Sequence, residues 1–154
     1  ETFYGNPASQ HADLHMDLSG IGNLLALSPQ RDANVISAIH FRADFGTGHI
    51  FNLATASELT KTEKHMVMET YKGDRLFDEK ITYSKLASYI SKGYEIHSTT
   101  LSENYIWEQY LAERGDSVIP LFAIDNKKRV KPFVAGKPLK PGNSWIIISL
   151  CSPE

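Results

Sequence analysis

Along this chain the clearest ordering of apolar and polar positions lies in residues 22–54, where two short apolar runs bracket a segment with helical spacing. Asn23-Leu-Leu-Ala-Leu-Ser28 predicts a strand. Ser28-Pro29 then supplies an N-cap followed by proline at the first helical position. Val35, Ile36, Ala38, Ile39, Phe41, Ala43 and Phe45 fill the helix, Gly46 stops it, and His49-Ile-Phe-Asn-Leu-Ala54 predicts a second strand. This is the order and about the length of a βαβ unit, the building block of doubly wound nucleotide-binding sheets.

Upstream, Thr2-Phe-Tyr-Gly5 reads as a strand entering a turn, and Asn6-Pro7 repeats the cap-then-proline pattern to open a helix reaching about Asp17. Ala8, Ala12, His15 and Met16 share one face of that helix. The resulting order of strand, helix, strand, helix, strand predicts a parallel three-stranded layer. Residues 57–71 turn polar and read as a linking helix, Leu76-Phe77 as an anchor, and 82–91 as a helix carrying Tyr83, Leu86, Ala87 and Ile90 ahead of Gly93.

Beyond Gly93 the pattern becomes β-rich. Strands are predicted at 94–101, 118–124 and 145–150, a helix at 102–114 ending at Gly115, and turns at Asp125-Asn126 and 138–142. Pro120 confines its strand to an edge or a first ladder position. The organisation expected is a partial Rossmann-like βαβ domain over 1–56, linking helices over 57–93 and a small α+β module over 94–154.

Composition narrows the function classes. The 154 residues are 42% hydrophobic, enough for a core, and the net charge of −2 with interspersed signs gives no footprint for nucleic acid. Lys127-Lys128-Arg129 reads as a solvated turn. The single cysteine, Cys151, allows no internal disulfide and has no adjacent histidine to activate it. No apolar stretch approaches the roughly 18 residues that suggest a membrane span, and no segment of the sequence reads as a signal peptide. The opening at Glu1, within what reads as a strand, leads to the expectation of a segment cut from a longer protein.

His11 and His15 stand four apart on the first helix, yet zinc needs three or four ligands and no third is visible, so no metal is assigned. Gly20-Ile-Gly22 and Gly46-Thr-Gly48 precede strands, whereas a dinucleotide fingerprint follows a strand and opens a helix; both pairs are turn glycines. A residual nucleotide site would lie at the carboxyl ends of the parallel strands, in loops containing Gly5, Asn6 and Ser28, with Arg31 and Asn34 just beyond. Ser84, Ser98 and Ser102 lack a nucleophile-elbow context, and no carboxylate pair has a recognisable spacing. Catalytic residues are therefore not assigned, and the chain is expected not to be an enzyme.

The runs Tyr4-Gly-Asn6, Leu18-Ser-Gly-Ile-Gly-Asn-Leu-Leu-Ala-Leu-Ser-Pro-Gln-Arg-Asp-Ala-Asn34, Ala38-Ile-His-Phe41, Phe45-Gly46 and Ile50-Phe-Asn-Leu53 resemble the cytosolic C-terminal region of bacterial sodium/proton antiporters. That region is similar to the domains that regulate potassium conductance, a Rossmann-like nucleotide-sensing domain followed by a smaller ligand-binding module. Gly115, Ile119-Pro-Leu-Phe-Ala-Ile124 and Pro141-Gly-Asn-Ser-Trp-Ile-Ile-Ile148 are similar to that module's closing strands. Gly5-Asn6 falls where related domains often carry Gly-Asp beside the nucleotide. The family's first strand, glycine loop and acidic ribose ligand have no counterpart here.

The resemblance implies a regulatory domain on the cytoplasmic side of the cell membrane, attached to a transport domain of the same longer protein and paired as a homodimer. It leaves an adenine nucleotide as the candidate ligand of the intact domain. The βαβ helix, including His40 and Arg42, is the expected dimer contact because it is apolar nearly all round. The alternatives are a ligand-binding regulatory domain of a potassium uptake or channel system, and a small intracellular α/β enzyme.

Overall fold

A computed structural model describes residues 2, 4–54 and 73–153, with the side chain of Asp13 also outside the description. The chain divides into two compact units, residues 1–75 and 76–154. It is a mixed α/β protein, with a three-stranded parallel sheet in the first unit and a four-stranded antiparallel sheet in the second.

The first unit contains α1 (Gln10–His15), β1 (Leu24–Ala26), α2 (Arg31–His40), α3 (Arg42–Phe45), β2 (Ile50–Asn52) and β3 (Asp74–Arg75). Strand order is β1-β2-β3, with Leu24 opposite Ile50 and Phe51 opposite Asp74. The βαβ unit read from the sequence is therefore present as a parallel pair. Helix α2 packs on β1 and β2, burying Val35, Ser37 and Ala38. Its opposite face leaves Ile36 and Ile39 about half exposed, at 54% and 50%.

The expected continuous helix to Gly46 is broken at Phe41, whose ψ of 7° takes it out of the helical region. Phe41 is 3% exposed and packs edge-on against the rings of His40 and Phe45, so burying this ring accompanies the break. Gly46 still closes the second piece, donating its N–H to the Arg42 carbonyl at a φ of 72°.

The third strand of the layer is not the one expected. Thr2, Tyr4 and Gly5 lie in no strand, and Tyr4 is fully exposed. The place beside β2 is taken by Asp74–Arg75, which follows residues 55–72. The predicted linking helix at 57–71 lies outside the described residues.

In the second unit, Leu76 is wholly buried and Phe77 donates its N–H to the Phe133 carbonyl while its ring meets Phe122 edge-on, an anchor as expected. Then come α4 (Tyr83–Ser91), β4 (Glu95–Thr100), α5 (Trp107–Arg114), β5 (Val118–Ile124), β6 (Val130–Pro132) and β7 (Ile146–Cys151), with sheet order β4-β7-β5-β6. Thr82 caps α4 by accepting from the Lys85 N–H. Helix α5 starts five residues later than the predicted 102, because Ser102 and Tyr105 first close a turn by exchanging backbone hydrogen bonds. Its C-cap is Gly115, at a φ of 51°.

Strand β5 is an inner strand, between β7 and β6, and Pro120 is its third residue, which corrects both the edge and the first ladder position expected from Pro120. The register slips between Pro120 and Phe122, and this β-bulge accommodates a residue that has no N–H for the ladder. Cys151 is the last residue of β7 rather than lying beyond it. The core here is built on Leu101, Tyr110, Val118, Ala123, Phe133 and Ile147.

Candidate functional site

The carboxyl end of β1 runs through Leu27 into Ser28-Pro29 before α2 begins at Arg31. Ser28 is not the helix cap. Its Oγ accepts from the Gln30 N–H at 3.1 Å, closing a short turn, and the N-cap position falls to Gln30, whose side chain makes no capping bond.

The residue that holds this loop is Asn34, one turn into α2 and 5% exposed. Its Oδ1 accepts the Ser28 N–H at 2.9 Å and its Nδ2 donates to the Ser28 carbonyl at 2.9 Å. One amide thus satisfies both backbone groups of Ser28, where the chain leaves the sheet and no ladder partner remains. Sequence reasoning placed Asn34 near the site without this role. Its signal was a polar residue on the inward stripe, one position before Val35 and four before Ala38. Changing Asn34 to alanine leaves the two backbone groups without their partner and is expected to cost about 2–3 kcal/mol. Urea unfolding of the two proteins measures this, and a loss below about 0.5 kcal/mol would show that the loop does not depend on the amide.

Gly5 and Asn6 form a separate local turn. Asn6 Oδ1 accepts from the Ala8 N–H at 3.0 Å, and its carbonyl accepts from the Ser9 N–H and hydroxyl at 3.2 and 2.7 Å. The cap of α1 is Ser9, whose Oγ accepts from the Ala12 N–H, so Asn6 does not hold the cap position expected of it. All these partners lie within three residues of Asn6, and none of these bonds reaches Ser28.

The electrostatics of the loop are mild. The first turn of α2 carries Arg31 and Asp32, and the Asp32 carboxylate meets the positive end of the helix dipole, where a bound phosphate would also sit. Such a terminus suits a neutral or hydroxyl-bearing part of a ligand better than its phosphates. Among the described residues, no buried side-chain nitrogen or oxygen lacks a hydrogen-bond partner.

A cleft of about 310 Å³ lies elsewhere in this unit, between α1 and the end of α2. Ala12, Met16, Leu18 and Phe41 give it an apolar wall, and His40 and Asp44 give it a polar one. None of Gly5, Asn6 or Ser28 lines it. On α1, the rings of His11 and His15 lie tilted at 38° with centroids 4.1 Å apart, and His15 Nδ1 lies 2.8 Å from the His11 carbonyl oxygen. Among the described residues no group of three His, Cys, Asp or Glu side chains could hold a metal ion.

Asp125, Cys151 and Tyr110 of the second unit are each constrained by their surroundings. Asp125 accepts from the Lys127 and Arg129 N–H groups and from the Arg129 guanidinium at 2.6 and 2.7 Å. Those hydrogen bonds hold its carboxyl at about 2, ionised and committed to the turn between β5 and β6. Burial pushes the Cys151 thiol up, away from the thiolate that nucleophilic chemistry needs. Burial also raises the Tyr110 phenol, which donates to Ser149 Oγ at 2.9 Å inside the core.

In comparison with known proteins, no family model matches this chain and no curated protein matches it. Among the described residues no helix is long and apolar enough to cross a membrane.

Proposed function

We propose that this chain is a cytosolic regulatory region of a membrane cation/proton antiporter of the sodium/hydrogen type. One observation carries the reading furthest: a parallel βαβ layer in one compact unit is followed by a separate antiparallel α+β module in the next. That succession is what the resemblance of residues 4–53 and 115–148 implies. A ligand or a second subunit that favours one arrangement of such a region biases the attached transporter by its differential affinity.

The ligand would be taken up at the loop of Ser28 and Asn34, at the carboxyl end of β1, where open α/β sheets place their ligands. An adenine nucleotide is the candidate of the intact domain, held through its adenosine part. Arg31, beside the loop, is the cation nearest in sequence.

Thermal unfolding of the chain in the presence of AMP, ATP and NAD tests the ligand. At 100 times the dissociation constant, binding stabilises the folded state by about 2.7 kcal/mol, and Asn34→Ala is expected to abolish the shift. No shift with any adenine nucleotide would remove the nucleotide from the proposal. Reading the complete gene tests the transporter: about a dozen apolar helices upstream support an antiporter, a short pore segment would transfer the region to a channel system, and none would overturn the reading.

A further inference from the structure

The two edges of the antiparallel sheet are built differently. At one edge, β6 is three residues long and carries Lys131 and Pro132, and two residues beyond it Val134 is bridged antiparallel to Leu76. A short strand, a lysine, a proline and a covered continuation are the devices that keep sheet edges from pairing. At the other edge, β4 spans six residues, Glu95-Ile-His-Ser-Thr-Thr100, without proline, glycine or lysine, and its register with β7 is continuous from Glu95 opposite Cys151 to Thr100 opposite Ile146. Five of its six residues are exposed, and Ile96 is 66% exposed.

We propose that β4 is an interface at which two copies of this chain pair antiparallel across a two-fold axis at Ser98, joining their sheets into one. The inference stands apart from the antiporter reading, since it rests on the sheet edge alone.

The register follows from the backbone. Leu101, next after β4, donates its N–H to the Trp145 carbonyl at 2.9 Å, so the N–H groups at 99, 97 and 95 also point toward β7. Those of Ile96, Ser98 and Thr100 point away from it, toward the outer edge, which no strand among the described residues covers. An antiparallel partner must match outward groups with outward groups. A two-fold axis at Ser98 does so, placing Ser98 against its copy and Ile96 against the second copy's Thr100, each pair exchanging both backbone bonds. It also covers exposed Ile96 with a β-branched neighbour, a favourable cross-strand pair.

Charge agrees with this register. His97 comes opposite Thr99, and Glu95 opposite Leu101, so no like charges face each other. Moving the axis one residue, to His97, would oppose the two imidazoles. A second copy is favoured over an open chain of copies because head-to-tail pairing of β4 with β6 would propagate, and β6 is the blunted edge. Self-pairing of β4 closes after two molecules.

Sedimentation velocity of the whole chain tests the pairing. The expected result is a concentration-dependent species of twice 17.3 kDa. Ser98→Pro removes an outward N–H and spares the bonds to β7, so it is expected to raise the dissociation constant at least tenfold; Ile96→Lys is expected to do the same. Far-UV circular dichroism and the unfolding midpoint of each variant confirm that it folds.

Oxidative cross-linking reads the register. Residues facing each other in a hydrogen-bonded antiparallel pair have Cα atoms about 5.5 Å apart, within disulfide reach. Ser98→Cys is therefore expected to form a dimeric disulfide far faster than Thr99→Cys, whose counterpart is His97. A wild-type chain that stays monomeric at hundreds of micromolar would overturn the proposal, including the case in which β4 takes an extended strand of another protein instead. A dimer unaffected by both edge variants, or equal cross-linking at 98 and 99, would overturn it as well.

Discussion

Replacing Gly73 with alanine is expected to destabilise the first unit by about 3–5 kcal/mol, enough to detach β3 from the parallel sheet. Gly73 holds a φ of 78°, in the left-handed region, and immediately precedes Asp74 of β3. A Cβ there would stand 2.3 Å from the Ile50 carbonyl oxygen and 2.8 Å from both the Ile50 carbonyl carbon and Cγ2. The obstacle is backbone, not the far end of a flexible side chain. Ile50 is the first residue of β2, 2% exposed and paired with Leu24, so it cannot retreat without opening β1 from β2 as well. Left-handed strain and steric overlap therefore add, against a total stability of about 5–15 kcal/mol for a domain. Both tryptophans, Trp107 and Trp145, lie in the second unit, so their fluorescence does not report the damage directly. Urea unfolding followed by far-UV circular dichroism should show it, and a Gly73→Ala protein within about 0.5 kcal/mol of wild type would refute the close approach.

Truncating Tyr110 to alanine is the corresponding lesion in the second unit, with an expected loss of about 4–5 kcal/mol. The ring is 1% exposed, stacked on Trp107 at 5.6 Å between centroids and edge-on to Tyr105 at 6.3 Å. Its hydroxyl reaches across from α5 to Ser149 in β7, which is wholly buried. Alanine empties the space beneath the helix and leaves the serine hydroxyl without its donor. Tyr110→Phe separates the two parts: the ring stays, the hydrogen bond goes, and about 1–2 kcal/mol is the expected cost. Because Trp107 stacks on this ring, its emission should shift in the alanine protein and hardly in the phenylalanine one. Equal losses for both variants would mean that the hydroxyl, rather than the packing, secures α5.

Much of the first unit was legible along the chain. The apolar runs on either side of α2 became β1 and β2, and Gly46 ended the helical segment where the pattern said it would. The partner of β2 was not legible. Asp74–Arg75 is a two-residue strand with no apolar period, and nothing local distinguishes it from a turn. Thr2-Phe-Tyr-Gly5 offered better strand chemistry and was preferred, but strand membership depends on which backbone groups another strand leaves open.

The candidate loop shows the same division. Ser28-Pro29 has the composition of a helix start, yet α2 begins two residues later. The buried amide of Asn34 binds the backbone of Ser28 and fixes the chain before the helix takes over. Of the βαβ helix residues expected at a dimer contact, His40 and Arg42 are half-buried, while Ile36 and Ile39 are the exposed apolar positions. A helix that is apolar on most sides does not announce which side the sheet will take.

By itself the sequence determined the α/β class and the helices marked by caps and stops, such as Thr82 before α4 and Gly115 after α5. These are decided by neighbours within about four residues, through side-chain period and the needs of unpaired helix ends. Tertiary structure alone decided that β3 completes the parallel sheet, that Pro120 sits at a bulge in an inner strand, and that β4 rather than β5 is an edge strand among the described residues. Sheet pairing joins residues far apart in the chain through backbone groups that every residue carries. It leaves no period in the sequence, and only the assembled strands show which groups remain unpaired.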